Sequence, residues 1–207
     1  MKQLAMKLPT WGGKRSGAGR KPKNEKAGVS HDRRSQFAAR HPVHVTMRVL
    51  WGVGFLRGFS RKRAIEDALR AAKERFGMRV VHYSIQGNHL HLIVEADEPA
   101  ALSRAIQGLA VRLARALNRL ARRTGKVFLD RFHAHVLKTL GEVRSAIRYV
   151  LENFRHHLRE DLAPEGVDPC TSLGWWDDGP GADAPFSTSR TWLARAASPA
   201  FAGAAQV

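Results

Sequence analysis

Two residue sets in this chain have the types and spacing to do chemistry. One is a pair of histidines flanking a leucine in QGNHLHLIVE (residues 86–95); the other is a tyrosine four residues before an asparagine in AIRYVLENFRHH (residues 146–157). On a strand, successive side chains alternate between faces, so His89 and His91 project together while Leu90 points the other way. Neutral imidazoles placed this way can share one cation. On a helix, Tyr149 and Asn153 sit roughly 40° apart and one turn along, on a common stripe. A phenol is a nucleophile once its proton is accepted, and an amide oxygen is a donor to a divalent ion. The two sets form one site only if that helix lies across the histidine face of a sheet.

The hydrophobic periodicities supply such elements. HPVHVTMRVL (41–50) alternates, with Val43, Val45, Met47 and Val49 on one side and His44, Thr46 and Arg48 on the other, and reads as a strand. A helix follows, capped by Ser60, striped by Ile65, Ala68, Leu69, Ala72 and Phe76, and stopped at Gly77. Residues 79–86 alternate again, Val81, Tyr83 and Ile85 opposite His82, Ser84 and Gln86. Gly87-Asn88 then turns the chain into a strand over 89–95. A second helix carries Leu102, Ile106, Leu109, Leu113, Leu117 and Leu120 at helical spacing, with arginines elsewhere. Residues 130–139 read as a fourth strand, and a last helix over roughly 141–158 is striped by Val143, Ile147, Val150, Leu151, Phe154 and Leu158.

The order β-α-β-β-α-β plus one helix predicts an α+β fold. Split repeats of this kind make a ferredoxin-like antiparallel four-stranded sheet with two helices on one face. Apolar strand sides must turn toward those helices. The opposite face then receives His44, His82, His89, His91, His133 and His135, six of the ten histidines in the chain. The additional C-terminal helix with Tyr149 is expected on that open face. The same parity turns Tyr83, the other of two tyrosines, toward the covered side and leaves Tyr149 as the candidate nucleophile.

Lysine and arginine outnumber aspartate and glutamate 35 to 18 over 207 residues, a formal charge of +17. An excess of that size points to a polyanionic partner, with nucleic acid foremost. A single cysteine excludes an internal disulfide and a cysteine zinc cluster, and suits a reducing compartment. No stretch approaches the roughly 20 apolar residues that span a bilayer, and no leader pattern is visible, so a cytoplasmic chain without membrane contact is expected. Residues 1–40 read as a flexible basic arm, 41–160 as the domain, and 161–207 as a Pro/Gly/Ala-rich tail that Trp175 and Trp176 pin down. Candidate DNA contacts are Lys14, Arg15, Arg20 and Lys21 in the arm, His44 and Arg48 on the first strand, and Arg148 and Arg155 on the last helix.

GNHLHLIVE resembles the HUH motif (histidine, bulky hydrophobic, histidine), and RYVLENF resembles the tyrosine helix of single-tyrosine HUH transposases, most of all the REP-associated tyrosine transposases. The likeness spans roughly residues 40–158 in the family's order, from HVTMRV through GNHLHLIV and GKVFLDRFHAHVL to the tyrosine helix. It implies a single-stranded DNA nuclease and strand transferase. His89, His91 and Asn153 would hold Mg²⁺ or Mn²⁺, and Tyr149 would form a 5′-phosphotyrosine. Many relatives have proline where this chain has Phe154.

The partner implied is single-stranded DNA with a hairpin, and a homodimer exchanging tyrosine helices is one arrangement known in the wider family. The residue that takes the phenol proton is open among His156, His133 and a metal-bound water. His133 and His135 form a second HxH pair, without a preceding turn. The alternative function is a non-catalytic nucleic-acid binder, either RRM-like or a domesticated transposase that binds DNA hairpins as a repressor. RRM platforms use aromatic residues where these strands offer histidines.

Overall fold

The computed structural model describes residues 36–152, 167–175 and 181–197, all within the compact unit His31–Val207. Five strands form one antiparallel sheet in the order β2-β3-β4-β1-β5: β1 (Val43–Arg48), β2 (Glu74–Arg75), β3 (Met78–Ile85), β4 (His89–Ala96) and β5 (His133–Val136). Among the described residues four α-helices accompany it: α1 (Phe59–Arg70), α2 (Pro99–Leu120), α3 (Leu140–Glu152) and α4 (Trp192–Ala197). The class is α+β, with five strands where periodicity predicts four.

The extra strand lies where the first helix was expected to continue. That helix ends at Arg70, and Phe76 and Gly77, with φ of +57° and +73°, turn the chain between β2 and β3. Two consecutive positive φ values are the mark of a tight hairpin turn, with glycine at the second position. A Cβ at Gly77 would also come within 2.5 Å of Asp97 Oδ2. Phe76 therefore leaves the predicted helix stripe and is exposed. The helix also starts earlier than Ser60, with Gly58 as its N-cap.

Alternation places the main core as expected in β1 and β4. Val43, Val45 and Met47 join Leu90, Leu92 and Val94 against Ile65 and Leu69 of α1 and Ile106, Leu109 and Leu113 of α2. In β3 the register shifts between Val80 and His82. An inserted residue reverses parity at that point, so Val80 rather than Val81 joins the core, while Tyr83 and Ile85 keep their expected side. Leu120, at the end of α2, is exposed instead of completing its stripe.

The other sheet face carries a second apolar cluster, in which Ile93 of β4 and Leu137 meet Val143, Ala146, Ile147, Val150 and Leu151 of α3. Burying each larger aliphatic side chain contributes roughly 1.5–3 kcal/mol, so this stripe decides where α3 docks. Its first turn is closed reciprocally. Thr139 Oγ1 accepts from Glu142 N at 3.2 Å, and Glu142 Oε2 accepts from Thr139 N at 3.0 Å. That is a capping box.

Residues 168–175 and 181–191 cover the outer edge of β3. Ile85 N donates to Cys170 O and Ser187 N to Val80 O, both at 2.8 Å. Arg57 grips Asp168 through two bonds of 2.9 and 2.8 Å, and Trp175 Nε1 donates to Tyr83 Oη at 2.9 Å. Beyond this, Glu95 accepts from Arg190 N and Thr191 N, and Leu193 and Ala197 of α4 pack into the α3 cluster. The C-terminal segment thus satisfies an edge that would otherwise present open backbone groups. Trp176 lies outside the described residues. Among the described residues no helix is long and apolar enough to cross a membrane.

Candidate active site

Opposite each other across the β1–β4 ladder are Arg48 and His89, Thr46 and His91, and His44 and Ile93. His89 and His91 are both buried, with ring centroids 4.7 Å apart and planes at 90°. Each has a partner on Nδ1. His89 Nδ1 lies 2.8 Å from Asn88 Oδ1, while His91 Nδ1 lies 3.0 Å from His44 Nε2 and 3.2 Å from Thr46 Oγ1.

These contacts select tautomers. A carboxamide oxygen only accepts, so His89 carries its proton on Nδ1 and its lone pair on Nε2. His44 is pushed down to about 4, by burial first and then by the charges of His133 and His135. It is neutral at neutral pH and can accept from His91 Nδ1. In that tautomer the lone pair of His91 is on Nε2 as well, and both imidazoles match in ligating atom.

Tyr149, on α3, is 45% exposed, and its ring lies edge-on to His91 at 5.2 Å and to His44 at 5.9 Å between centroids. It reaches this place because Val150 and Ile147 bury themselves against the sheet and turn the adjoining helix stripe toward the histidines. Tyr83 is on the far side of the sheet, donating to Glu66 Oε1 at 3.0 Å. Burial, and then the Glu66 carboxylate, hold its phenol well above the usual range.

The structure thus brings together His44, His89, His91 and Tyr149 on one sheet face. Arg48 and Arg148 are exposed, the former cross-strand from His89 and the latter next to Tyr149 on α3. His133 and His135 sit on β5 opposite Thr46 and His44, both exposed. Asn153, Arg155, His156, Lys14, Arg15, Arg20 and Lys21 lie outside the described residues, as does Phe154.

Two features escape a sequence reading. His44 has the character of a neutral partner to His91 more than that of a cationic DNA contact. Gln86 is fully buried on β3's side of the hairpin, its Nε2 donating to Ser84 Oγ at 2.7 Å, while its Oε1 has no hydrogen-bond partner among the described residues. Because Gln86 N donates to His89 O, this amide lies cross-strand from the first histidine. Among the described residues no group of three His, Cys, Asp or Glu could enclose a metal ion. Two imidazole nitrogens supplemented by amide oxygens make a different donor set, and such a set fits a divalent cation.

The IS200-like transposase family profile matches residues 40–153, and the chain belongs to that family, among the HUH tyrosine transposases. The matched span runs from just before β1 to the end of α3, so it takes in the whole histidine face. Among solved structures, the fold is similar to that of a REP-associated tyrosine transposase bound to a REP hairpin, at 14% identity and a TM-score of 0.58, covering 79% of this chain and 93% of that one. A Deinococcus radiodurans protein described as a transposase aligns at 13% identity over 62% of this chain and 98% of its own; its TM-score of 0.41 adds nothing to the fold argument. No curated protein matches the chain.

Proposed function

We propose that this protein nicks and rejoins single-stranded DNA by transesterification, with Tyr149 as nucleophile. The observation that carries the reading is the packing of the Tyr149 ring against His91, 5.2 Å away, on the face that also holds His89. The phenol oxygen bonds to the scissile phosphorus, and the bond to the 3′-oxygen breaks. The phenol proton leaves through a base, and the 3′-oxygen departs as a hydroxyl. A 5′-phosphotyrosine remains, and attack by a 3′-hydroxyl reverses the exchange without ATP.

Mg²⁺ or Mn²⁺, held by His89, His91 and Asn153, would supply positive charge to a non-bridging phosphate oxygen. The chain's own contribution is alignment. Asn88, Thr46 and His44 orient the imidazoles, and α3 holds the phenol beside them. Arg48 and Arg148 flank the site as phosphate contacts. The partner is single-stranded DNA next to a hairpin, as the folded likeness suggests. We take the four longer strands with α1 and α2 as a ferredoxin-like sheet, whose second face α3 occupies. An RRM-type platform would need that face open.

The test is a labelled hairpin oligonucleotide with single-stranded flanks, incubated with protein and Mg²⁺ or Mn²⁺. A covalent adduct is expected from the wild type and none from Tyr149→Phe, with hairpin binding retained. An unchanged adduct in Tyr149→Phe would refute the assignment. Because Tyr149 meets histidines of its own chain, mixing Tyr149→Phe with His89→Ala should restore nothing; recovered cleavage would reveal exchange of helices within a dimer.

A further inference from the structure

From the end of β1 to the first residue of α1 three large aromatic side chains face solvent: Trp51 is 94% exposed, Phe55 53% and Phe59 80%. Exposed aromatics clustered beside a reactive centre call for an occupant. Trp51 and Phe55 line a cavity of about 470 Å³ whose remaining wall includes Gly87, Asn88 and His89. Small-molecule sites fall in the range of roughly 300–1,000 Å³. The cavity is continuous with the histidine face, because His89 belongs to both.

The aromatic wall is held in place by backbone. Leu56 N donates to Gly87 O and Val49 N to Asn88 O, each at 2.9 Å, which ties the segment to the β3–β4 turn at both ends. Phe55 lies directly on Gly87, where a Cβ would come within 3.1 Å of its Cε2. Glycine is therefore needed at 87 to let the ring approach. Arg61 donates to Val53 O at 3.1 Å and holds its guanidinium beside Gly54, one of the lining residues. Arg48 is exposed and cross-strand from His89, a second arginine near this end of the histidine face.

An aromatic wall on a backbone-anchored segment, nearby arginines and a mostly apolar cavity match one ligand chemistry above others: the planar face of an unpaired nucleobase on an anionic backbone. We infer that Trp51 and Phe55 stack a base of the single-stranded substrate, and that this base belongs to the nucleotide on the 5′ side of the scissile phosphate. This rests on the cleavage reading for its polarity. Tyr149 stands at the His91 end of the histidine face and the cavity at the His89 end. In-line displacement sets the leaving 3′-oxygen opposite the attacking phenol. The nucleoside that carries that oxygen is therefore directed toward the cavity.

Trp51→Ala is suited to the test because its side chain supports no core. In a Tyr149→Phe background, where no strand is cut, affinity is measured for an oligothymidylate and for an abasic strand of equal length. Trp51→Ala should weaken oligothymidylate binding roughly ten-fold and leave abasic binding unchanged, as expected for loss of one base stack. Oligothymidylate should also quench an emission component missing in the variant. Equal weakening on both strands, or on neither, overturns the base site.

Polarity is read on a hairpin strand that the wild type cleaves. Removing the base 5′ of the scissile phosphate should slow adduct formation about ten-fold, with no further loss in Trp51→Ala; a larger effect from the 3′ base overturns the assignment. A base preference that depends on Trp51 in a wild-type protein forming no adduct would support the base site and count against the cleavage reading alone.

Discussion

The two faces of one strand are built to opposite ends. On β4, Leu90, Leu92 and Val94 enter a dry core between the sheet and α1 and α2, while His89 and His91 face α3 among side chains that bond to one another. Both sets are buried. Burial alone therefore does not separate scaffold from chemistry. On the first face each residue is replaceable by another of similar volume. On the second, each imidazole has a dedicated partner on Nδ1, and such second-layer bonds hold a ligating or reacting atom in one orientation.

The sharpest way to separate the faces is to alter neighbours on β4. His91→Ala should abolish the DNA adduct while leaving the melting temperature within a few degrees. Leu92→Ala should cost about 2–5 kcal/mol of stability and, in the fraction still folded, leave adduct chemistry intact. Denaturant melts paired with adduct gels decide the matter. If the leucine variant loses the chemistry without losing stability, the division is wrong.

A comparable loss is expected at the C-terminal segment. Arg57 and Asp168 form a bidentate pair with side chains 8% and 0% exposed. Asp168→Ala leaves the guanidinium buried without its counter-charge and should destabilise by about 3–5 kcal/mol. Replacing both partners by apolar residues should recover much of this, which a double-mutant cycle would read.

The histidine face also predicts an acid response. His82 is fully buried, and burial lowers it from 6.5 to about 4. A group that protonates less readily folded than unfolded contributes stability that is complete above about pH 6.5 and lost as the pH falls toward 4. The loss from this group is of order 3 kcal/mol. His82→Gln, which keeps a hydrogen-bonding group near Ser172, should flatten the decline between those pH values. A variant melting curve with the same acid slope as the wild type would remove His82 as its source.

The smallest effect is on binding. Arg148→Ala should reduce affinity for any single strand alike and lower the salt dependence by about one charge, without changing sequence preference. Titrations at two salt concentrations suffice to check it.

Much of this arrangement is legible in the chain because strands repeat every two residues. Alternation in HVTMRV and HLHLIV fixes which face each histidine takes, and the Val143-Ile147-Val150 stripe lays α3, and with it Tyr149, over them. Features that break periodicity are hidden. The inserted residue near Val81 reverses parity without a sequence mark, and Phe76-Gly77 reads equally as a helix end or a hairpin turn. Trp51 and Phe55 fall in a stretch without repeat, so nothing in their spacing gives them a role. The C-terminal segment is hidden for another reason: Arg57 and Asp168 are 111 residues apart, and no local pattern announces such a pair.

That last separation has a temporal side. His82 meets Ser172 across 90 residues of chain, and at about 5–20 residues per second a ribosome needs on the order of 5–20 seconds to make them. During that interval the outer rim of β3 has been synthesised and its cover has not. The nascent protein is most vulnerable to joining a neighbour's strand in those seconds, and its yield in the cell should depend on chaperone supply more than the stability of the finished molecule would suggest.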